Sequence, residues 1–128
     1  MDAGVEAVMC AYNRTNDIPC CGSKLLLLDI LRETWKFKGH VVSDCWGLQD
    51  FHQGHKVTVN EVESAALAIN NGVNLNCGTA FKRLEEAVEQ GLVTEDTVNN
   101  SLSILLKTRF KLGMFDPPEM VPFTKIPY

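Results

Sequence analysis

The feature that most constrains the fold of this chain is a repeated alternation between short apolar segments and segments with helical periodicity. The three apolar segments have the small and β-branched side chains of buried strands, and they lie at residues 5–12, 40–44 and 73–76. Apolar residues then recur at helical spacing in residues 23–35, 60–71, 80–90 and 94–112. Strands and helices in this order predict right-handed βαβ units and a parallel sheet, and therefore an α/β fold.

Particular residues predict where these helices begin and end. Ser23 and Thr94 are suited to cap helix N-termini, because their hydroxyl oxygens can accept hydrogen bonds from free backbone amides. Glycines lie close after the predicted C-termini, at positions 39, 72, 91 and 113. We expect regular structure to end at the two prolines, 117 and 118.

Three parallel strands are too few for a complete fold of this class. A parallel sheet buries both of its faces, and a barrel closes only with eight strands, so three strands leave two unpaired edges. We therefore expect residues 1–128 to be one partial domain of a larger fold. Its exposed edges should either self-associate or pair with the missing remainder.

Charge and hydropathy exclude two classes of partner. Twelve basic and sixteen acidic residues give a formal charge of −4, and no basic stripe is interleaved with aromatic residues, so we expect no nucleic-acid partner. The longest aliphatic run, residues 25–28, is far shorter than the roughly 20 apolar residues that span a bilayer, so we expect no membrane partner. The N-terminus lacks signal-peptide features, which leaves the compartment undetermined; we expect a periplasmic or secreted parent protein whose export signal lies outside this chain.

The spacing of cysteines and histidines indicates no metal site. Five cysteines, at positions 10, 20, 21, 45 and 77, lack the paired CxxC spacing of zinc sites, and an odd number leaves at least one thiol free. We interpret most of them as packing residues and leave a disulfide open, since sequence cannot supply its geometry. His40, His52 and His55 do not form an HExxH motif and are interpreted as structural or surface residues. We therefore expect no metal or other cofactor.

The carboxyl ends of the predicted strands are the candidate positions for a functional site, because loops bring side chains together there. Asp44 ends the second strand directly. A carboxylate in this position is partly desolvated and rigidly aimed, which suits attack on an electrophilic carbon or stabilisation of a cation. The alternative is a carboxylate that caps the following turn. Further candidates lie at the ends of the other two strands: Met9, Tyr12, Asn13 and Arg14 at the first, and Asn74, Asn76 and Cys77 at the third.

Several segments resemble consecutive motifs of glycoside hydrolase family 3, in the order in which the family has them. They are residues 8–14 (VMCAYNR), 31–39 (LRETWKFKG), 41–44 (VVSD), 71–76 (NGVNLN) and 109–116 (RFKLGMFD). The resemblance covers nearly the whole chain. It implies a fragment of a (β/α)8 TIM barrel, about its last three strands, from a β-glucosidase or β-xylosidase that acts on oligosaccharides or glycosides without a metal.

The resemblance also implies roles for individual residues. Asp44 matches the nucleophile of a retaining enzyme, which attacks the anomeric carbon and forms a covalent glycosyl-aspartate. Met9 and Tyr12 match an M-x-x-Y motif that lines the subsite of the reacting sugar, and the Tyr12 phenol is expected to hydrogen-bond to Asp44. Trp46 is expected in the leaving-group subsite, one position later than the tryptophan of many relatives. The intervening Cys45 is more similar to the β-xylosidase branch.

The other functional groups of the family fall outside this chain. Its lysine-histidine and arginine sugar contacts lie on earlier barrel strands and its general acid/base lies in a following domain, so we expect the isolated chain to be inactive. One alternative hypothesis is a non-catalytic module that self-associates through its sheet edges. Another is an aspartyl-phosphate enzyme, which fits less well because residues 45–49 offer no acidic ligand for magnesium.

Overall fold

A computed structural model describes residues 3–127 of the chain. In chain order its elements are β1 (Ala7–Cys10), β2 (Arg14–Thr15), β3 (Ile18–Pro19), a 3-10 turn (Cys20–Gly22), a π-helix (Leu25–Thr34), β4 (His40–Ser43), α1 (Asp50–Gln53), α2 (Glu61–Asn70), a 3-10 turn (Ala80–Arg83), α3 (Leu84–Glu89), α4 (Glu95–Lys111), and two 3-10 turns (Pro118–Met120 and Pro122–Lys125). The alternation of strand and helix confirms the α/β fold.

The central sheet is parallel, as the order of elements predicts. β1 pairs with β4 in a register that places Met9 opposite Val42 and Cys10 opposite Ser43. The predicted third strand at 73–76 is wrong as a full strand, because its ladder to β4 is reduced to a single parallel bridge between Val42 and Leu75. The neighbouring amide of Asn74 also donates to the carbonyl of Val41, at 2.8 Å. The third segment therefore lies beside β4 where a strand is expected.

The first strand is shorter than the predicted range 5–12, since β1 ends at Cys10. The chain then turns through a small antiparallel hairpin that the sequence analysis did not predict, in which Arg14 pairs with Pro19 and Thr15 with Ile18. Asn16 and Asp17 occupy the turn with positive φ angles of 51° and 64°. Asparagine and aspartate tolerate this conformation better than other non-glycine residues, which explains the tight turn.

The helix predicted at 23–35 is present, but as a π-helix between Leu25 and Thr34. The amide of Trp35 donates to the carbonyl of Ile30, five residues earlier, at 2.8 Å. The predicted role of Ser23 is confirmed, because its hydroxyl accepts from the amide of Leu26 at 3.3 Å. The helix packs Leu27 and Leu31 into the core, where both are buried.

The last two predicted helical segments begin and end close to the expected residues. Thr94 caps α4 by accepting from the amide of Thr97 at 3.1 Å, and Gly113 follows the helix with a φ of +67°. The apolar spacing in residues 94–112 predicts a buried face that includes Leu102, but Leu102 is exposed and the buried residue is Ser101. Periodicity gives the direction of an apolar face but not which of its side chains a neighbouring element covers.

The core lies between the parallel strands and the helices on one side of them. Its most deeply buried side chains include Val41, Leu48, Phe51, Ala65 and Val73. Burial of each larger apolar side chain contributes about 1.5–3 kcal/mol to stability. Leu48 comes from the loop after β4 and Phe51 from α1, which follows that loop, so the loop is anchored to the core.

Asn74 is a buried polar side chain that holds the third segment in place. Its Oδ1 accepts from the Arg32 guanidinium and from the Val41 amide, both at 2.9 Å, and its Nδ2 donates to the Ser101 hydroxyl at 3.1 Å. Burial lowers the pKa of Arg32. Asn74, a strand-end candidate in the sequence, is therefore fully engaged in structural hydrogen bonds.

The interpretation of most cysteines as packing residues is wrong. Cys10 is joined to Cys21, and Cys45 is joined to Cys77, by disulfide bonds. Cys20 keeps a buried thiol, in agreement with the free thiol that an odd number requires. Pairing depends on Cα separations of 5.1 and 4.3 Å between residues 11 and 32 positions apart, and such distances exist only in the folded chain.

Candidate functional site

Asp44 lies directly after β4, at the carboxyl end of the parallel sheet. Its amide donates to the carbonyl of Cys10 at 3.1 Å, so it continues the ladder between the two strands. Its carboxylate Oδ1 accepts from the amide of Cys45 at 2.7 Å. The carboxylate therefore caps the following turn, as the alternative interpretation from the sequence expects, and its role as a nucleophile stays a prediction.

The buried side chain of Ser43 holds the loop that carries Asp44 in place through two hydrogen bonds. The side chain of Ser43 is 1% exposed, and its hydroxyl accepts from the Asn76 amide group and from the Cys77 backbone amide, both at 3.0 Å. The amide of Trp46 donates to the carbonyl of Cys77 at 2.6 Å. Asn76 and Cys77, two of the strand-end candidates, therefore support the loop after β4.

The disulfide between Cys45 and Cys77 closes the same junction covalently. It joins the residue after Asp44 to the loop that follows the third parallel segment. The backbone on both sides of Asp44 is consequently tied to two neighbouring segments of the sheet. A carboxylate held by a rigid frame loses little entropy when it meets a substrate.

Tyr12 contacts the loop that carries Asp44, but its hydrogen bond differs from the expected one. Its hydroxyl donates to the backbone carbonyl of Cys45. The expected bond from the phenol to the carboxylate of Asp44 is therefore wrong for this structure, since the phenol's single proton is directed to the neighbouring residue. The ring still fixes the end of β1 relative to the loop after β4, and 40% of Tyr12 remains exposed.

Met9 and Trp46 are both well exposed, at 59% and 55%. Met9 lies opposite Val42 in the sheet and borders an apolar cavity of about 260 Å³ beside the π-helix. Trp46 lies two residues after Asp44 in the left-handed region, with a φ of +68°. Non-glycine residues adopt this conformation rarely, so the backbone there is strained and presents the indole to solvent.

A histidine that the sequence analysis assigned to structure or surface links the two strand ends. His55 accepts at Nδ1 from Arg14 Nε at 2.9 Å, and its Nε2 lies 2.9 Å from the carbonyl oxygen of Tyr12. Arg14 also donates to the His55 carbonyl, and Asp50 Oδ2 lies 3.3 Å from Nε2. Arg14 and Tyr12 lie 41 and 43 positions before His55 in the chain, so no local sequence pattern indicates these two contacts.

The carboxylate of Glu61 forms hydrogen bonds to side chains from other segments of the chain. Its carboxylate accepts from the Thr79 hydroxyl at 2.6 Å and from the Gln49 side chain at 3.2 Å, and it meets Arg83 at 3.4 Å. The hydrogen bond from Thr79 is the main cause that lowers the pKa of Glu61, with further contributions from Gln49 and Arg83 against an opposing effect of burial. The charged form of Glu61 therefore stabilises the folded loop.

The principal concave surfaces lie away from Asp44. A cavity of about 640 Å³ lies between α3 and α4, and one of about 390 Å³ lies beside Glu6, Arg32 and Lys111. Among residues 3–127, no group of three histidine, cysteine, aspartate or glutamate side chains is arranged to hold a metal ion. In the same part of the chain, no helix is long and apolar enough to cross a membrane.

Comparison with known proteins identifies the family of this chain. The family model described as the glycosyl hydrolase family 3 N terminal domain matches residues 1–108. The chain belongs to glycosyl hydrolase family 3. A xylan 1,4-beta-xylosidase of Xylanibacter ruminicola is 46% identical to it over 99% of the chain and 15% of its own length, and a probable exo-1,4-beta-xylosidase of Aspergillus clavatus is 47% identical over 98% and 17%.

Solved structures of family 3 enzymes have the same fold. A GH3 exo-beta-xylosidase in complex with a xylobiose aziridine activity-based probe superposes with a TM-score of 0.92, at 33% identity, over 98% of this chain and 16% of that one. A beta-glucosidase from Listeria innocua superposes with a TM-score of 0.85, at 28% identity, over 91% and 16%. This family 3 chain spans about a sixth of the length of the relatives that it matches.

Proposed function

We propose that the full-length protein containing this chain is a retaining β-glycosidase that removes terminal β-linked xylose or glucose from oligosaccharides, and that Asp44 is its nucleophile. The observation that carries the proposal is the position of Asp44 at the carboxyl end of β4 in a chain of family 3. Its carboxylate has one oxygen held by the Cys45 amide at 2.7 Å. That hydrogen bond orients the second oxygen for attack.

The proposed reaction proceeds in two displacements. In the first, the Asp44 carboxylate forms a bond to the anomeric carbon while the bond from that carbon to the leaving oxygen breaks, and the leaving oxygen takes a proton from a general acid outside this chain. In the second, a water molecule attacks the anomeric carbon and releases Asp44 as a carboxylate, while the same outside group takes the proton of the water. Two inversions retain the β configuration.

Xylose is the sugar that the comparisons favour. The first curated relatives carry the names of xylosidases at 39–47% identity, and among the solved structures the exo-beta-xylosidase is 33% identical and the beta-glucosidase from Listeria innocua 28%. The position of Cys45 directly after Asp44 agrees with the same branch of the family. Within the proposed function, a terminal xylose is therefore the first substrate to test, and glucose the second.

We propose in addition that residues 1–128 alone do not turn over a glycoside. General acid assistance typically contributes about 100-fold to 10,000-fold to the rate, and this chain spans only about a sixth of its relatives. Asp44 is half-buried after β4, and the cavities of about 640 and 390 Å³ are lined by other residues. Neither cavity can supply differential binding of a transition state at this carboxylate.

The test is mechanism-based trapping of the nucleophile in the full-length protein. A 2-deoxy-2-fluoro-β-xylosyl fluoride should leave a fluoroxylosyl group on the peptide that contains Asp44, and Asp44→Asn should abolish both this label and the hydrolysis of an aryl β-xyloside. Asp29→Asn is the matched control, because Asp29 is an exposed carboxylate paired with Lys24 on the π-helix. Label on another carboxylate, or full hydrolysis by Asp44→Asn, overturns the assignment.

A further inference from the structure

We infer that His55 is a positioning residue of the site, which holds the strand end of Tyr12 against the loop of Asp44; the inference rests on the proposed function. Two loops must keep a fixed distance if the residues after β1 and β4 are to act on one sugar. Four side-chain hydrogen bonds cross between those loops, and three of them involve His55. The fourth is the hydrogen bond from Tyr12 to the Cys45 carbonyl.

The chemistry of these contacts defines the tautomer of the ring. The guanidinium of Arg14 is always charged and can only donate, so its contact of 2.9 Å with Nδ1 requires that nitrogen to be an acceptor. The ring proton then lies on Nε2, which donates to the Tyr12 carbonyl at 2.9 Å. Both ring nitrogens are used, each by a group from the segment that follows β1.

The ring is itself fixed from the side of α1. Asp50 Oδ2 lies 3.3 Å from Nε2, and the amide of His55 donates to the carbonyl of Asp50 at 2.7 Å. The side chain of His55 is 17% exposed, whereas its partners Tyr12 and Arg14 are exposed. His55 therefore transmits the position of the anchored loop after β4 to the backbone of Tyr12 and to Arg14.

This role is distinct from general stabilisation of the fold. The hydrophobic core includes Leu48 and Phe51, and the ring of His55 is not among the side chains that form it. Loss of the ring would leave the core intact but free the turn at Tyr12 to move relative to Asp44. A displacement of about 1 Å between a nucleophile and a binding group lowers a rate by as much as about 100-fold.

His52 provides a matched control, because it lies three residues before His55, on α1. It is also partly buried, and its Nδ1 lies 3.0 Å from the hydroxyl of Ser64 on α2. Replacement of either histidine by phenylalanine removes one ring with its hydrogen bonds and leaves an aromatic side chain of similar size. Only His55→Phe removes contacts to the end of β1, so the two variants separate positioning from stability.

The experiment measures the rate at which a fluoroxylosyl fluoride labels Asp44 in the folded full-length protein, together with the melting temperature. We expect His55→Phe to slow labelling by about 10-fold to 100-fold and His52→Phe by less than about 2-fold, with similar losses of melting temperature. His55→Gln, whose amide both donates and accepts, should restore part of the rate. Labelling of His55→Phe at the wild-type rate, or equal slowing in both phenylalanine variants, overturns the inference.

A second variant keeps the inference testable if His55→Phe does not fold. Arg14 is exposed, so Arg14→Met removes the donor to Nδ1 without opening the core, and we expect it to slow labelling in the same direction. A double-mutant cycle with His55→Gln should show coupling between the two residues. Unchanged labelling in Arg14→Met overturns the inference, whereas a wild-type protein that is not labelled at Asp44 refutes the proposed function itself.

Discussion

Cys45 and Cys77 form a disulfide, with their Cα atoms 4.3 Å apart. It joins the residue after the candidate nucleophile to the loop that follows the third parallel segment. The second disulfide, between Cys10 and Cys21, joins the end of β1 to the 3-10 turn that precedes the π-helix. Each cross-link thus begins at the carboxyl end of a strand. The loops around Asp44 are constrained covalently where parallel α/β folds place their functional residues.

Removal of these cross-links should destabilise the chain in a definite order. Release of a closed loop of 32 residues gives the unfolded chain more conformational entropy than release of a loop of 11. We therefore expect Cys45→Ala with Cys77→Ala to lower the free energy of unfolding by about 3.7 kcal/mol. Cys10→Ala with Cys21→Ala should lower it by about 2.8 kcal/mol. Urea unfolding of both double variants measures the difference. A larger loss from the shorter loop would contradict this account.

Replacement of Trp46 should affect activity more than stability. Its φ of +68° costs a non-glycine residue about 1–2 kcal/mol, and Trp46→Gly relieves this strain while it adds about 0.5–1 kcal/mol of backbone entropy to the unfolded state. We expect a change in unfolding free energy within about 1 kcal/mol, but a loss of about 10-fold in kcat/KM for an aryl β-xyloside, which corresponds to about 1.4 kcal/mol.

Trp35 is the control for that prediction. It is exposed to a similar extent, 57%, but has a φ of −87° at the end of the π-helix. Trp35→Gly relieves no strain, so it should lower stability by about 0.5–1 kcal/mol and leave kcat/KM unchanged. If both variants lose stability equally, the conformation of Trp46 is not strained in solution.

Glu61 should make part of the stability dependent on pH. Its pKa is lowered in the folded state below the ordinary value of 4.5, so its contribution is fully present above that value and is lost as pH falls through the lower folded-state pKa. We expect Glu61→Gln to lower the free energy of unfolding by about 1 kcal/mol at neutral pH and by less under acidic conditions. Urea midpoints of both proteins over the acidic range measure this convergence.

Glu89→Gln is the comparison for Glu61, because Glu89 is an exposed carboxylate at the end of α3. Its replacement should change the unfolding free energy by no more than about 0.5 kcal/mol at any of these pH values. A difference between wild type and Glu61→Gln that grows toward acidic pH would show that the sign of the effect is wrong.

The open edge of β1 should make the isolated chain self-associate. In residues 3–127 this strand pairs only with β4, and the exposed side chains beside it include Met9 and Trp35. A lysine on an unpaired edge opposes strand addition, so Ala7→Lys should shift the chain toward the monomer in sedimentation velocity, while Leu92→Lys should not. A wild-type chain that is monomeric at high concentration would refute the prediction.

Much of the local structure follows from the sequence alone. The hydroxyls of Ser23 and Thr94 cap their helices as predicted, because a cap depends on residues only three positions away. The order of strands and helices and the place of Asp44 after β4 are likewise local properties, set by periodicity and by where an apolar segment ends. The family was also recognisable at this level, since its motifs are short contiguous segments.

Tertiary structure alone decided which of these residues meet. The disulfide of Cys45 and the hydrogen bond of Tyr12 span 32 and 33 positions, and the bonds of His55 to Arg14 and Tyr12 span 41 and 43. The buried Asn74 bonds to residues 42, 33 and 27 positions away. The length of the third strand was likewise decided by its neighbours, because an edge segment forms a ladder only as far as its partner supports it. Periodicity describes one segment at a time, whereas these contacts depend on how the packed core sets the distance between segments.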